Sequence, residues 1–215
     1  MKRAPHTHNT SELERAEVVK SSLIGLSLLA ISFVVNYVAG VYADKNQSNF
    51  VNDIVLSNIP PFDVNLWFVY GALAMGIFVI ILCLTKPRRI PYLSKSVALF
   101  IVIRSLFISV THLGSFPTKI TVDSAFDFFH KISFTGDLFF SGHTGIPFLL
   151  ALIFWKHEIL RPLFLGISVL FAVLVLLGHL HYSIDVLGAF FITYTIYHLS
   201  EVLFKKDKKM FDVAG

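Results

Sequence analysis

Six long apolar stretches dominate the sequence and limit the folds that it can adopt. A helix needs about 20 mostly apolar residues to cross a hydrocarbon core of about 30 Å. The stretches that meet or approach this length are residues 21–43, 66–85, 94–113, 138–155, 162–177 and 183–204. Because a helix satisfies its own backbone hydrogen bonds in lipid, the pattern predicts an all-α integral membrane protein built as a six-helix bundle.

The composition excludes an ordinary soluble domain. Hydrophobic residues make up 55% of the chain and charged residues 15%, whereas soluble domains are roughly 45–50% apolar and about 25% charged. The net charge of +4 does not indicate a nucleic-acid partner, because the basic residues flank the predicted spans, as topology signals do.

Lysine and arginine are divided unevenly between the two sides that six spans define. Cytoplasmic loops carry the excess of positive charge in membrane proteins. One side holds 14 of the 18 basic residues, the other holds Lys45, Lys119 and Lys131, and Arg104 lies in mid-span. The 14 are Lys2, Arg3, Arg15, Lys20, Lys86, Arg88, Arg89, Lys95, Lys156, Arg161, Lys205, Lys206, Lys208 and Lys209. We therefore expect both termini to be cytoplasmic.

The same pattern predicts three parts of the chain. Residues 1–20 form a polar cytoplasmic leader, residues 21–204 form the six-span membrane domain, and residues 205–215 form a basic cytoplasmic tail. The leader and the tail are both polar and are therefore expected to be mobile; a lipid-facing amphipathic role for residues 11–20 is an alternative.

Four ionisable residues converge on the exoplasmic or periplasmic face of this topology. They are His143, His179, His181 and Asp185, and an ionisable residue at the mouth of a span is a functional candidate because its burial is costly. His181 and Asp185 are four apart and share one helix face. A carboxylate there accepts the Nδ1 proton of the histidine and leaves Nε2 as a nucleophile.

The segment Ser141-Gly142-His143-Thr144 places the second histidine at the start of a helix. Unpaired backbone N–H groups and the helix dipole favour an anion such as phosphate at that position. Gly142 allows close approach of the backbone. One histidine that attacks and one that donates a proton to the leaving oxygen are what phosphoryl transfer through a phosphohistidine requires.

The residues alone leave other interpretations open. An isolated histidine–aspartate pair is also consistent with an interfacial hydrogen bond without chemistry. His143, His179, His181 and Asp185 have the side chains of a zinc or manganese site. A non-enzymatic membrane transporter is a further alternative, for which mid-span charges are the expected sign, and Arg104 is one such charge.

Two motifs resemble those of a known family. Residues 136–144, GDLFFSGHT, resemble the G-D-x-x-x-S-G-H-T motif of sphingomyelin synthases and related sphingolipid head-group transferases. Residues 181–190, HYSIDVLGAF, are similar to their H-Y-[ST]-x-D-V-x-x-A-[YF] motif. The same combination of a Ser-Gly-His motif and a His-x3-Asp motif is found in the broader type 2 phosphatidic acid phosphatase superfamily. The chain departs from the phosphatase branch, since Leu174 and Val175 stand where a Ser-Arg pair would precede the second histidine.

The resemblance implies a catalytic triad of His143, His181 and Asp185. It implies transfer of a phospho-head-group from a phospholipid donor to a lipid alcohol such as ceramide, with no metal and no other cofactor. A lipid phosphate phosphatase or phospholipase C-like hydrolase on the same site is the alternative. Substrate contacts are expected from six further residues: Arg104, Asp137, Asp63, Ser141, Gly142 and Tyr182. Arg104 is the candidate for binding phosphate, and an ion pair within the bundle is its alternative role.

Overall fold

The computed structural model describes residues 6–121 and 138–214, with side chains for residues 14–121 and 138–213. The regular secondary structure in these ranges is helical, with no strand, which confirms the all-α prediction for the described residues. The helices are α1 (His6–Lys45), α2 (Gly71–Thr85), α3 (Ile90–Val110), α4 (Gly142–Ile153), α5 (Leu160–Leu177), α6 (Ser183–Leu203) and α7 (Lys205–Ala214). A π-helical turn, Leu66–Tyr70, precedes α2, and a 3-10 turn, Pro87–Arg89, precedes α3.

Five helical segments within the described ranges are long and apolar enough to cross a membrane. They are Glu14–Lys45, Leu66–Thr85, Pro87–Val110, Leu160–Leu177 and Ser183–Leu203. Their positions agree with five of the six predicted spans, and they support a multi-pass membrane protein.

The fourth predicted span, residues 138–155, differs from its prediction. Its helix, α4, has 12 residues and is therefore about 18 Å long, short of a hydrocarbon core of about 30 Å. Eight of the 12 side chains are buried, whereas α2 has none buried. α4 thus lies inside the bundle, where neighbouring protein satisfies the backbone beyond its ends and relaxes the length requirement that lipid imposes.

Close packing of small residues holds α4 in the centre. A Cβ atom added to Gly145 would lie 2.7 Å from the Phe100 ring of α3 and 2.9 Å from the Thr193 hydroxyl of α6. Only a glycine therefore fits where α3, α4 and α6 meet, as is common for helices packed in membranes. Buried side chains such as Phe100, Leu149 and Phe164 fill the core around this point.

The described parts of the leader and the tail are helical. α1 begins at His6, so the described part of the leader continues the first span as one helix. The tail forms α7, and Phe211 on this helix is buried in the main core. The buried Phe211 shows that α7 has an apolar side, which the polar composition of the tail did not reveal.

A buried ion pair attaches α7 to the bundle. Lys95 Nζ of α3 lies 2.7 Å from Asp207 Oδ2 of α7, with side-chain exposures of 10% and 8%. The Ser21 hydroxyl of α1 accepts from Lys95 Nζ and donates to the other oxygen of Asp207. One carboxylate therefore joins three helices at this end of the bundle.

The two ends of the bundle differ in charge. Arg89, Lys95 and the lysines of α7 lie at the end where α3 begins and α6 finishes. The histidine motifs lie at the opposite end, where α4 and α6 begin. The basic residues and the histidine motifs named here thus lie at opposite ends of the bundle.

Removing the acidic partner of the buried pair should destabilise the protein strongly. Asp207→Ala leaves Lys95 buried and unpaired, and we expect a cost of about 3–5 kcal/mol. Asp212→Ala is the matched control, because its pair with Lys208 lies on an exposed face of the same helix and is worth about 0.3–0.5 kcal/mol. Thermal unfolding in detergent measures both. Equal shifts of the midpoint in the two variants would contradict the assigned role of Asp207.

Candidate functional site

His181 and Asp185 form a buried hydrogen-bonded pair at the start of α6. His181 Nδ1 lies 3.1 Å from Asp185 Oδ2, and the side chains are 8% and 0% exposed. Because a carboxylate can only accept, Nδ1 carries the proton and the Nε2 lone pair is left for chemistry. The spacing predicted this pair, and the structure brings the two residues together as expected.

The backbone around the pair is held on both sides. Leu180 N donates to the Val175 carbonyl at the end of α5, over 2.8 Å. Asp185 Oδ2 also accepts from Tyr182 N, at 3.1 Å, so the carboxylate that orients His181 caps the helix on which it lies. The imidazole and its carboxylate are therefore fixed by the same turn of backbone.

The second histidine motif adjoins the first through the backbone. Ser141 N donates to the Asp185 carbonyl over 3.1 Å, which joins the N-terminus of α4 to the first turn of α6. Ser141 is the N-cap of α4 and accepts from Thr144 N. Both histidine motifs thus lie at one end of the bundle, as the topology predicted.

Aromatic rings flank the His143 imidazole. Its ring centre lies 4.1 Å from that of Phe68, in the π-helical turn, and 5.7 Å from that of Phe171 in α5. These contacts fix the plane of the imidazole in the first turn of α4. Phe68 is a residue that sequence reasoning missed, since an aromatic residue in an apolar stretch carries no signal of its own.

Arg104 lies beside the Ser-Gly-His segment. Its side chain is 7% exposed, and Nε donates to the Phe140 carbonyl over 3.1 Å. A Cβ atom at Gly142 would lie 3.3 Å from Nε, so the guanidinium packs closely against the N-terminus of α4. Arg104 therefore lies against Gly142, the residue before His143.

The turn before Ser141 has an unusual backbone. Phe139 and Phe140 have φ angles of 123° and 29°, a region that costs of order 1–3 kcal/mol for residues with a side chain. Phe140 is fully buried and packs edge-on against Phe100 and Phe107. Arg104 and this aromatic packing therefore hold the turn that leads into α4.

Tyr182 is a structural residue in this arrangement. Its hydroxyl donates to the Gly114 carbonyl over 2.7 Å and accepts from Val51 N. Burial raises the pKa of Tyr182 above its usual value, so the phenol remains neutral and able to donate. Both bonds tie the start of α6 to neighbouring loops, and neither is directed at a substrate.

Two aspartates, Asp63 and Asp137, were also predicted to contact the substrate. Asp63 is exposed and accepts from Asn65 N over 3.0 Å in a local turn before α2, which gives no contact with the histidine pair. Asp137 lies outside the described residues.

His179 is buried and bonded through Nδ1 to the Thr118 hydroxyl at 2.6 Å, and burial lowers its pKa.

Asp53 is a residue of the site that sequence reasoning missed. It lies in the loop after α1 and is 7% exposed. Its Oδ2 accepts from both Ser183 N, at 2.8 Å, and Ser183 Oγ, at 2.7 Å. Burial alone would raise the pKa of Asp53, but hydrogen bonds from Ser183, Leu56 and Val55 outweigh it and hold the pKa below 3.8. The sequence carried no motif that distinguishes Asp53 from an ordinary loop aspartate.

Among the described residues, no three His, Cys, Asp or Glu side chains form a group that could hold a metal ion.

Comparison with known proteins agrees with the site. The family model described as PAP2 superfamily C-terminal matches residues 135–202, a range that contains both histidine motifs. Neither the curated proteins nor the solved structures gave a match. The match covers about a third of the chain, and over this range the chain resembles the PAP2 superfamily.

Proposed function

We propose that the protein is a membrane lipid phosphotransferase. It moves a phospho-head-group from a glycerophospholipid to a lipid alcohol such as ceramide, through a phosphohistidine on His181. The single observation that carries this proposal is the buried Nδ1–Oδ2 hydrogen bond of 3.1 Å between His181 and Asp185. That bond orients Nε2 and stabilises the positive charge that the ring gains when Nε2 attacks phosphorus.

The reaction proceeds in two displacements at phosphorus. In the first, His181 Nε2 forms a bond to phosphorus, the bond to the diacylglycerol oxygen breaks, and His143 gives that oxygen a proton. In the second, His143 takes the proton of the acceptor hydroxyl, the acceptor oxygen bonds to phosphorus, and the bond to Nε2 breaks. The two steps return both histidines to their starting protonation.

The N-terminus of α4 and Arg104 are the groups that we assign to the phosphate charge. The amides of the first turn of a helix point out of its N-terminal end and favour an anion there. Arg104 lies against Gly142 in that turn. Its planar fork can donate to the Phe140 carbonyl through Nε while a terminal nitrogen approaches phosphate.

We also propose that the site faces the exoplasmic or periplasmic side. The support is the concentration of Arg89, Lys95 and the α7 lysines at the opposite end of the bundle, since positive charge marks the cytoplasmic side. Both termini would then be cytoplasmic, with the short α4 and the five longer segments together connecting the two faces.

The identity of the product tests the transferase assignment. Purified protein in liposomes receives phospholipid labelled in its head-group phosphorus, with and without ceramide. We expect a labelled phosphosphingolipid in the presence of ceramide, and a loss on the order of 10³-fold or more in His181→Ala. His198→Ala is the matched control, because this histidine pairs with Glu201 near the other end of α6.

Two results would contradict parts of the proposal. Release of only free phosphate or phospho-base, with no phosphosphingolipid, would assign water as the acceptor and make the protein a hydrolase on the same site. Full activity of the His181→Ala variant would exclude a mechanism through a phosphohistidine on His181.

Arg104→Lys tests the assigned phosphate contact. Lysine keeps the charge but lacks the fork, so it cannot donate to Phe140 and to phosphate together. We expect kcat/KM to fall about 10–100-fold, since a charge-assisted hydrogen bond contributes about 1.5–3 kcal/mol, with the midpoint of thermal unfolding little changed. Arg89→Lys is the control, a buried arginine at the other end of α3. A lower unfolding midpoint with unchanged kcat/KM would make Arg104 a structural residue instead.

A further inference from the structure

The loop after α1 holds the start of α6 at two successive residues. Val51 N donates to the Tyr182 hydroxyl, and Asp53 accepts from both the N–H and the hydroxyl of Ser183. Tyr182 and Ser183 lie between His181 and Asp185, so the loop is hydrogen-bonded to the segment that separates the two members of the catalytic pair.

The position of Ser183 explains why these contacts affect the catalytic pair. Ser183 is the first residue of α6, whereas His181 precedes the helix and Asp185 lies in its first turn. The distance between His181 Nδ1 and Asp185 Oδ2 therefore depends on where the helix begins. A carboxylate that accepts from the first N–H group of a helix fixes that beginning and is favoured by the helix dipole.

The protein occupies all four hydrogen-bond-accepting positions of the Asp53 carboxylate. Oδ1 accepts from Val55 N, at 2.8 Å, and Leu56 N, at 3.1 Å, and Oδ2 accepts from Ser183 twice. Each oxygen thus takes two hydrogen bonds, which matches what a carboxylate oxygen can accept. Asp53 is consequently suited to hold backbone in place and not to contact a lipid head group.

We infer that Asp53 is a positioning residue for the reaction: it fixes the first turn of α6 so that Asp185 meets His181. This inference rests on the proposed function, since it assigns a role relative to the His181 nucleophile. Asp53 acts through Ser183 and does not touch the reacting atoms.

The central test compares Asp53→Asn in two backgrounds. In the wild type we expect kcat to fall about 10–100-fold with KM little changed, as when a residue that orients a catalytic ligand is replaced. In Asp185→Asn the same substitution should cost less than about threefold, because the pair that Asp53 positions is already broken. A residue that only stabilised the fold would have the same effect in both backgrounds.

Substitutions of Ser183 separate the contacts. Ser183→Thr keeps both donors and should retain activity near the wild-type level, whereas Ser183→Ala loses the hydroxyl donor and should show an intermediate kcat. Ser183→Pro removes both donors and should match Asp53→Asn, since proline is accepted at the first position of a helix. Asp44→Asn is the matched control, an exposed carboxylate at the end of α1, and should leave kcat unchanged.

The outcomes distinguish this inference from the proposed function. Wild-type kcat in Asp53→Asn, with His181→Ala inactive, would overturn the positioning role alone. Equal losses from Asp53→Asn in the wild type and in Asp185→Asn would also overturn it. An active His181→Ala would overturn the proposed function, whatever Asp53 does.

Discussion

The hydrogen bond from Ser141 N to the Asp185 carbonyl is the contact on which the rest of the site depends. It joins the beginnings of α4 and α6, so that two segments some 40 residues apart in the chain present their histidines at one end of the bundle. Each helix start is also capped by its own side chain, Ser141 for α4 and Asp185 for α6. The groups that satisfy the unpaired N–H groups of these helices are therefore the same groups that organise the site.

This arrangement requires a strained backbone in the segment before α4. Phe139 and Phe140 take positive φ angles there, and the buried Arg104 side chain bonds to the Phe140 carbonyl. A strained turn persists where its surroundings determine its geometry, and here the surroundings are an arginine and a cluster of phenylalanines. The central position of α4, held by Gly145 against Phe100, keeps its N-terminus at a fixed depth beside α6.

The sequence predicted the features that depend on local pattern. Apolar length located the five candidate membrane-spanning helices of the described residues, and the four-residue spacing of His181 and Asp185 predicted their pairing. It did not predict that α4 is short, because apolar length cannot distinguish a helix in lipid from one surrounded by protein. The buried role of Asp53 depends on a contact across 130 positions of the chain, for which no local pattern exists. α7 was missed for the same reason, since Asp207 is partnered only after α1 and α3 have packed.

The most direct test of the central claim is detection of the covalent intermediate. The protein is mixed with phospholipid labelled in its head-group phosphorus, without acceptor, quenched at alkaline pH within one turnover, and mapped by mass spectrometry. The account predicts an acid-labile phospho-head-group on His181 that disappears when ceramide is added. Label on another residue, or turnover with no labelled protein at times shorter than one catalytic cycle, would contradict it.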